Sequence, residues 1–422
     1  MAFMETTVCT IGAGPAGLMA AVHAAPASAT VVVEANAKAG RKLLLTGGGR
    51  CNFSHAGQPQ EIAQAFGKAG RFLRYGLYEL PPEAVTTFFR ERGLAARVQP
   101  DGCVFPASNK ARDVLEVLLR QADALGVLFA FGQPVVDLTA DDSSFTIHTK
   151  DQRISAARVV IATGGVSWPQ TGSTGDGYRL AANLGHTIIP PRPALVPLVV
   201  QENWVGELAG VSLADVRIAA MVKGRKVGTV GNMLFTQSGI GGPAVLDLSR
   251  LLADELFESN AGTLASIDMA AELDEAGFDQ RLRETIQDHP KKTVANVLAE
   301  SLPRQLSHVV CRLAECDCDL QVGHLTTQMR RRIVSLIKGL PLRIMGTEPI
   351  AKATVTRGGV SLEEIDPKTM ESRICPGLFF AGEVIDVDGP CGGYNLQACW
   401  STGALAGRSA AHSLTGAGPA TA

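Results

Sequence analysis

A glycine-rich turn near the start of the chain has residues that suit the binding of a nucleotide pyrophosphate. It consists of Gly12, Ala13, Gly14, Pro15, Ala16 and Gly17. In this spacing the first glycine permits a tight turn, the second lets pyrophosphate approach the backbone, and the third lets a helix pack against the sheet. The free N–H groups at the start of that helix favour phosphate. The turn therefore predicts a dinucleotide site, with an ordinary glycine-rich turn as the alternative.

The acidic residue Glu34 supports this interpretation and narrows the choice of nucleotide. It ends the next β-favouring run, where a carboxylate accepts hydrogen bonds from a ribose hydroxyl. A carboxylate would also repel a 2′-phosphate, so the site is expected to hold FAD or NAD and not NADP.

A second glycine-rich segment, residues 40–52, follows the predicted ribose-binding strand. Its three successive glycines, residues 47–49, let the backbone approach a flat ligand without Cβ clashes. Arg41 and Lys42 are placed to neutralise charge on the pyrophosphate or on the adenosine side. A plain phosphate loop is the alternative; a P-loop is excluded because no Gly-Lys-Ser/Thr sequence ends the run.

Three later segments are expected to return to the same crevice. An apolar strand ends in residues 162–165, Ala-Thr-Gly-Gly. Another strand delivers Gly382 and Glu383 to the carboxyl edge of the sheet, where Glu383 can accept from ribityl hydroxyls or be a plain surface acid. Residues 389–397 open the last helix. A helix N-terminus aimed at a flavin pyrimidine would stabilise the negative charge that develops on reduction.

Motifs at both ends of the chain require a discontinuous nucleotide domain. The predicted fold class is α/β, a discontinuous Rossmann-like nucleotide-binding domain with a mixed β and α region inserted in the middle. The family resemblance given below implies that this domain binds FAD and that the inserted region is β-barrel-like and helical. A proline cluster near residue 190 marks the first boundary. The predicted domains are residues 1–190 with 349–422 for FAD, 191–271 for the β-rich insertion and 272–348 for the helical insertion. The last residues, 416–422, are expected to fray.

Composition limits the partners. The 422 residues are 46% hydrophobic and carry 39 basic against 41 acidic side chains, so nucleic acid is not expected as a partner. No apolar run reaches the ~18 residues of a membrane span. The start shows no secretory signal and the nine cysteines are scattered, which favours a cytoplasmic protein. Cys311, Cys316 and Cys318 near His324 lack paired zinc-ligand spacing, so no metal is expected.

These motifs together resemble the HI0933/YhiN-like (BaiN-type) flavoproteins. The residues that carry the resemblance are Leu44 to Asn52, Ala162 to Gly165, Leu234 to Pro243, Gly382 with Glu383, and Gly392 to Gln397. The resemblance implies a glutathione-reductase-like FAD fold, and some relatives reduce carbon–carbon double bonds in steroid-like enones with NAD(P)H. It also implies a cofactor contact with the backbone of Val135 and Val136.

The expected cofactor-binding residues combine the motifs with the resemblance. They are Gly12, Ala13, Gly14, Pro15, Ala16, Gly17, Glu34, Ala35, Arg41, Lys42, Thr46, Gly47, Arg50, Cys51, Asn52, Val135, Val136, Ala162, Thr163, Gly164, Gly382, Glu383, Gly393, Tyr394, Asn395, Leu396 and Gln397. The expected cofactor is FAD. No second Gly-x-Gly-x-x-Gly follows a strand, so NADH or NADPH is expected only as a transient electron donor.

The expected activity is FAD-dependent, NAD(P)H-driven reduction of a small organic acceptor such as an enone. No catalytic residue is identified. Cys51 and Cys391 lie in loops predicted to reach the cofactor, and Tyr394, Asp386 and Asp388 are candidate proton donors; each is more often structural. A tRNA-modifying flavoprotein and a non-enzymatic flavin-binding protein are the alternatives. The sequence does not define the oligomeric state.

Overall fold

A computed structural model describes residues 2–258 and 262–413. The chain forms two compact units, Met1–Arg192 with Thr354–Ala422, and Pro193–Ala353. The predicted fraying of residues 416–422 falls outside the described residues. Among the residues described, no helix combines the length and apolar character needed to cross a membrane.

The structure has the following helices and strands. The strands are β1 (Ala2–Ile11), β2 (Thr30–Glu34), β3 (Ser54–His55), β4 (Ala96–Val98), β5 (Cys103–Pro106), β6 (Leu128–Phe131), β7 (Val135–Ala140), β8 (Phe145–Thr149), β9 (Gln152–Ile161), β10 (Ile188–Ala194), β11 (Leu198–Val200), β12 (Ser212–Val222), β13 (Arg225–Phe235), β14 (Gly239–Gly241), β15 (Thr263–Asp268), β16 (Leu340–Thr347), β17 (Val355–Val360) and β18 (Leu378–Phe380). The α-helices are α1 (Pro15–Ala24), α2 (Pro59–Ala65), α3 (Gly70–Glu79), α4 (Pro82–Glu91), α5 (Ala111–Ala124), α6 (Asp176–Asn183), α7 (Pro243–Glu258), α8 (Glu275–Asp288), α9 (Val294–Leu298), α10 (Arg304–Leu313), α11 (Thr327–Lys338) and α12 (Tyr394–His412).

A seven-stranded sheet organises the first unit, and it confirms the predicted Rossmann-like α/β fold. Its strands run in the order β6-β2-β1-β9-β8-β7, and β18 also pairs with β9. The strands β6, β2, β1, β9 and β18 run parallel to one another, whereas β8 pairs antiparallel with both β9 and β7. All five residues of β2 are buried, as expected for a parallel strand covered on both faces.

The long strand β9 is the element that joins the two ends of the chain. One edge pairs with β1 along its length. On its other edge, the first half pairs with β8 and the last three residues pair with β18. Because β18 joins only the carboxyl half, the residues that follow it emerge beside those that follow β9.

Small residues let α1 and α12 pack with their backbones in close approach. A Cβ atom at Gly403 would lie 2.4 Å from the carbonyl oxygen of Ala16, and one at Gly407 would lie 2.1 Å from that of Ala20. The contacts repeat every four residues, which is the spacing of one helix face. The N-terminal and C-terminal segments are therefore packed together over successive helical turns.

The second unit is built on a closed barrel with the strand order β11-β14-β13-β12-β15-β16. Helices α8 to α11 share one apolar core with the barrel, including Leu306, Val310 and Ile333 from the helices and Ile218 and Ile344 from the strands. The sequence prediction separated a β-rich domain from a helical domain at residue 271, but the structure groups both in one unit. Strand β16, inside the segment predicted to be helical, completes the barrel.

Gly407→Ala tests the close approach of α1 and α12. Alanine is favoured over glycine in a helix interior by about 1 kcal/mol, so it would stabilise a loosely packed helix. Here the added Cβ meets a backbone oxygen, and overpacking of this kind costs about 1–3 kcal/mol. We expect a lower thermal midpoint by circular dichroism. Gly346→Ala, where a Cβ would meet nothing within 4 Å, is the control, and a raised midpoint for Gly407→Ala would contradict the packing.

We expect a half-buried histidine in α1 to make the stability depend on pH. Burial lowers the pKa of His23 to about 4, and its Nδ1 donates to the carbonyl of Met19 at 2.9 Å. In the unfolded chain a histidine titrates near pH ~6.5. The unfolded state therefore binds the proton first as the pH falls, so folding free energy is lost between about pH 6.5 and pH 4.

We expect His23→Gln to remove this part of the pH dependence. From pH 7 to pH 5 the wild type should lose about 2 kcal/mol of stability through His23 that the variant does not lose. Urea unfolding at the two pH values measures the difference. The exposed His308, replaced by Gln, is the control. Equal pH dependence of His23→Gln and wild type would contradict the assignment.

Candidate functional site

Four strand ends lie side by side at the carboxyl edge of the sheet in the first unit. Backbone hydrogen bonds continue past the strands, from Gly12 N to Val33 O at 2.8 Å, from Ala162 N to Ile11 O at 2.9 Å and from Ala381 N to Ile161 O at 3.1 Å. The glycine-rich turn, the strand of Glu34, the Ala162 to Gly165 segment and the Gly382–Glu383 pair therefore share one edge. This is where ligands bind in open α/β sheets.

The three glycines of the turn differ in what surrounds them. A Cβ at Gly12 would lie 2.6 Å from the Ala162 oxygen, and one at Gly17 would lie 1.9 Å from the Gly12 oxygen. A Cβ at Gly14 would meet nothing within 4 Å, and its φ of −81° suits any residue. Protein packing thus explains Gly12 and Gly17, whereas Gly14 leaves an open space beside the helix start.

The start of α1 is suited to a phosphate group. No side chain caps the helix and no acidic residue lies in its first turn. The N–H groups of a helix start attract anions through their partial positive charge. Together with the open space at Gly14, this geometry fits the pyrophosphate of a dinucleotide.

The predicted ribose acceptor, Glu34, is buried and its carboxylate is already oriented. One oxygen accepts from the backbone N of Ala13 at 2.7 Å, and the other accepts from the Asn36 backbone N at 2.8 Å and its side-chain amide at 2.7 Å. Arg41 donates to the Asn36 amide oxygen at 2.6 Å and to the Gln170 carbonyl at 2.8 Å. Asn36 is a residue that the sequence analysis missed; it links Arg41 to Glu34.

Lys42 contacts the second predicted carboxylate. Its ammonium lies 2.7 Å from Glu383 and 2.6 Å from the Ser167 hydroxyl, and Ser167 donates to Glu383 at 2.9 Å. The Thr356 backbone N donates to the same carboxylate at 2.7 Å. The Thr356 hydroxyl in turn accepts from the backbone of Val166 and Ser167. Sequence gave no signal for Ser167 or Thr356, because Thr356 lies far along the chain from the residues it contacts.

The second glycine-rich segment and the start of α12 face each other. A Cβ at Gly393, whose φ is 93°, would lie 2.2 Å from the Ser54 oxygen and 2.7 Å from the Asn52 side chain. The helix has no side-chain cap and no acidic residue in its first turn. A Cβ at Gly48 would meet nothing within 4 Å, so the glycine segment also has open space beside it. The arrangement leaves a helix start and a side-chain-free loop available to a flat ligand.

Several predicted contact residues have structural roles for their side chains. Gln397 is fully buried, and its amide bonds with Ser54, Leu80 and Ser401. Asn395 holds the turn at Gly389 and Pro390. For these two residues, only backbone groups remain as candidate contacts. The Thr46 hydroxyl donates to the Leu43 carbonyl, and the Arg50 side chain donates to the Gly47 carbonyl and lies over the Phe105 ring. Leu396 is partly buried and packs against the core, whereas Ala35 is exposed.

Val135 and Val136 follow closely after Gln133, a residue that is hydrogen-bonded to the end of the Glu34 strand. Gln133 N donates to the Glu34 carbonyl at 2.9 Å. The carbonyls of Val135 and Val136 accept from the Arg179 guanidinium at 3.3 and 2.8 Å. Arg179 is another residue that sequence analysis did not identify.

The candidate catalytic groups have different environments. Cys51 is fully buried, and burial raises its pKa to about 12, which disfavours a reactive thiolate. Tyr394 stacks on His55 with 4.3 Å between ring centroids, and His55 Nδ1 donates to the Gly392 carbonyl at 2.9 Å. Cys391 is half-buried in the same turn. The stacked His55–Tyr394 pair thus lies at the start of α12, of which Tyr394 is the first residue.

The remaining candidates are the two acids Asp386 and Asp388 and, as possible metal ligands, the clustered thiols. Asp386 accepts from the Gly358 backbone N at 3.0 Å, and Asp388 lies 3.9 Å from the Arg357 guanidinium. Burial raises the pKa values of the Cys311 and Cys316 thiols. Across residues 2–258 and 262–413, no group of three or more His, Cys, Asp and Glu side chains is arranged to hold a metal ion.

Comparison with known proteins gives a family and two kinds of relative. The sequence profile of a family described as "HI0933-like protein Rossmann domain" matches residues 6–409. The 3-dehydro-bile acid delta(4,6)-reductase of Clostridium scindens is 33% identical over 406 residues, covering 95% of this chain and 98% of that protein. The ribosomal RNA dihydrouridine synthase of Escherichia coli is 31% identical over 395 residues, covering 93% and 94%.

Solved structures of similar fold are more distant in sequence. FrdA of E. coli quinol fumarate reductase has a TM-score of 0.53 at 18% identity, covering 100% of this chain and 72% of that one. The 3-ketosteroid delta1-dehydrogenase of Sterolibacterium denitrificans has a TM-score of 0.52 at 13% identity, covering 97% and 100%. At these identities the likeness is one of fold.

Gly14→Val tests whether the open space beside α1 belongs to a cofactor. Because Gly14 has an ordinary φ and no neighbour near its missing Cβ, the variant should fold, and its apoprotein thermal midpoint should fall only slightly, through the weaker N-cap preference of valine. Its side chain would occupy the pyrophosphate position, so bound FAD should be lost. The ratio of flavin to protein absorbance measures this.

The matched control is Gly12→Ala, which should lower the apoprotein midpoint because its Cβ meets the Ala162 oxygen. A fully yellow Gly14→Val preparation would place the pyrophosphate elsewhere.

Proposed function

The chain belongs to the HI0933-like family, and we propose that it is an NAD(P)H-driven reductase of a carbon–carbon double bond conjugated to a carbonyl. It is a flavoprotein oxidoreductase that binds FAD in a Rossmann-type domain. The electron donor and the acceptor are the proposed parts. The observation that carries the proposal is that two kinds of relative, each matching nearly the whole chain, have names that describe the same class of reaction.

The names of the two kinds of relative describe one reaction class. A delta(4,6)-reductase of a 3-dehydro bile acid acts on double bonds in conjugation with the 3-oxo group. A dihydrouridine synthase saturates the uridine 5,6 double bond, which is conjugated to the 4-carbonyl. Both reductions add a hydride to the carbon distant from the carbonyl and a proton to the adjacent carbon. A conjugated carbonyl is therefore the acceptor class that agrees with both.

The residues at the carboxyl edge support this chemistry through binding and electrostatics. FAD supplies hydride transfer when it is bound. The uncapped start of α12 offers backbone N–H groups and a positive dipole end to a developing negative charge. Glu34 and Glu383 are held in fixed orientations by protein donors, so each can accept a hydroxyl at little cost in side-chain entropy.

A small enone is the first candidate acceptor, and a uracil ring in RNA is the second. The second is favoured by the dihydrouridine synthases of E. coli and Haemophilus influenzae, both 31% identical to this chain over 93% of its length. The names of these relatives specify ribosomal RNA, whereas the RNA alternative in the sequence analysis was tRNA. The two candidates share donor and cofactor and differ in the size of the acceptor.

Anaerobic rapid mixing tests the donor first. NADH or NADPH should bleach the bound flavin absorbance, and the Gly14→Val variant, which should carry no flavin, gives the baseline. Failure of both nicotinamides to bleach a fully loaded protein would contradict the proposed donor.

The reduced protein then tests the acceptor. A 3-oxo-4,6-diene steroid or a uridine-containing RNA should restore the oxidised spectrum and gain two hydrogens by mass spectrometry, whereas the saturated 3-oxo steroid should do neither. Reoxidation by neither conjugated acceptor would contradict the proposed reaction class.

A further inference from the structure

One helix in the first unit presents arginines and tyrosines on the same solvent-facing side. Arg71, Arg74, Tyr75 and Tyr78 lie on α3 at positions i, i+3, i+4 and i+7, which is one face of a helix. All four are exposed; Tyr75 is 48% and Tyr78 is 50% accessible. We refer to these four residues as the α3 face.

The tyrosines are unusual for this chain. It has only four tyrosines, and two of them lie on the α3 face. The opposite side of α3 buries Leu73, Gly76 and Leu77, so the core does not need the two rings. Exposing two large aromatic side chains on one amphipathic helix is a feature of binding surfaces.

The positive charges of the face are not compensated. Among the described residues, no carboxylate forms an ion pair with Arg71 or Arg74, and the acid that ends α3, Glu79, pairs with Arg408. Two arginines three positions apart on a helix repel each other, which slightly destabilises the helix. Lys68 is exposed just before α3, and the Lys368 ammonium lies 5.8 Å from the Tyr75 ring centroid. The face therefore combines a local excess of positive charge with accessible rings.

We propose that the α3 face binds single-stranded RNA, with Arg71 and Arg74 on phosphates and Tyr75 and Tyr78 stacked on bases. The choice of RNA rests on the second candidate acceptor of the proposed function. Single-stranded nucleic acids are bound by cationic side chains that follow the backbone and by aromatic rings on which bases stack. An acidic peptide would form ion pairs with the arginines but would offer the tyrosines no bases to stack on. A helix ten residues long spans about 15 Å, enough for a few nucleotides.

Fluorescence anisotropy with a fluorescein-labelled U12 RNA and the FAD-loaded protein tests the proposal. Tyr75→Ala with Tyr78→Ala should weaken binding at least about tenfold, because each stacked base contributes substantially. Tyr75→Phe with Tyr78→Phe keeps both rings and should bind nearly as the wild type does. Arg71→Gln with Arg74→Gln should lower the slope of log Kd against log salt by about 1.4, the value for two phosphate contacts on a single strand.

A matched control removes the same charge elsewhere in the unit. Arg112 and Arg120 are exposed on α5, and their double Gln variant should bind RNA as the wild type does. Equal weakening by the α5 and α3 arginine variants, or no effect of the tyrosine-to-alanine variant, would overturn the proposal. Polyglutamate should displace the RNA less readily from the wild type than from the tyrosine-to-alanine variant, because the wild type also holds the bases by stacking. Equal displacement from the two proteins would overturn the proposal.

Flavin bleaching and enone reduction are measured in the same variants. The α3 face is not part of the cofactor site, so both should remain at wild-type levels. A wild-type protein that reduces the enone but does not bind the U12 RNA would refute only the surface, whereas absent reductase activity in the wild type would refute the proposed function.

Discussion

The tightest constraint in this protein is the close approach of backbone to backbone, both at the carboxyl edge of the parallel sheet and between α1 and α12. Gly12 lies against Ala162, Gly17 against Gly12, and Gly403 and Gly407 against α1. Each contact requires the absence of a side chain, and each fixes an element that carries part of the site. Because these distances are set by main-chain atoms, they tolerate almost no adjustment, and the two ends of the chain are locked into one crevice.

The charges at this edge follow from that constraint. Two carboxylates, Glu34 and Glu383, lie near a helix start that attracts anions, and each is held by backbone or side-chain donors. Lys42 balances Glu383, while Glu34 relies on neutral N–H groups. An acid held at this end of the crevice is the basis of the prediction that the site disfavours a 2′-phosphate.

The sequence predicted the parts of the fold that depend on local chemistry. The turn at Gly12, helix α1 and strand β2 matched closely, because glycine spacing and a short β-favouring apolar run are local signals. The sequence did not predict α3 or α6, nor β16, whose residues sit next to a helical pattern. The partners Ser167 and Thr356 were also missed, since a serine or a threonine hydroxyl in a loop has no pattern until folding brings it to Glu383. Gln397 was expected among the cofactor-binding residues from its place in the turn that opens α12, and sequence gave no sign that its side chain also joins α12 to Ser54 and Leu80.

Predicting partners from net charge is also limited, because a sum over the sequence does not show where the charges lie in the folded protein. A balance of 39 basic and 41 acidic residues argued against nucleic acid, yet it averages over the whole surface. At physiological salt, charges more than about 8 Å apart are largely screened from each other, so a bound phosphate experiences only the nearest few side chains. At the α3 face those are Arg71, Arg74 and Lys68, with no acid paired to either arginine in the described residues. A chain that is neutral overall can therefore present a cationic surface of the size of a few nucleotides, and the position of each charge, not the sum, decides which partner is attracted.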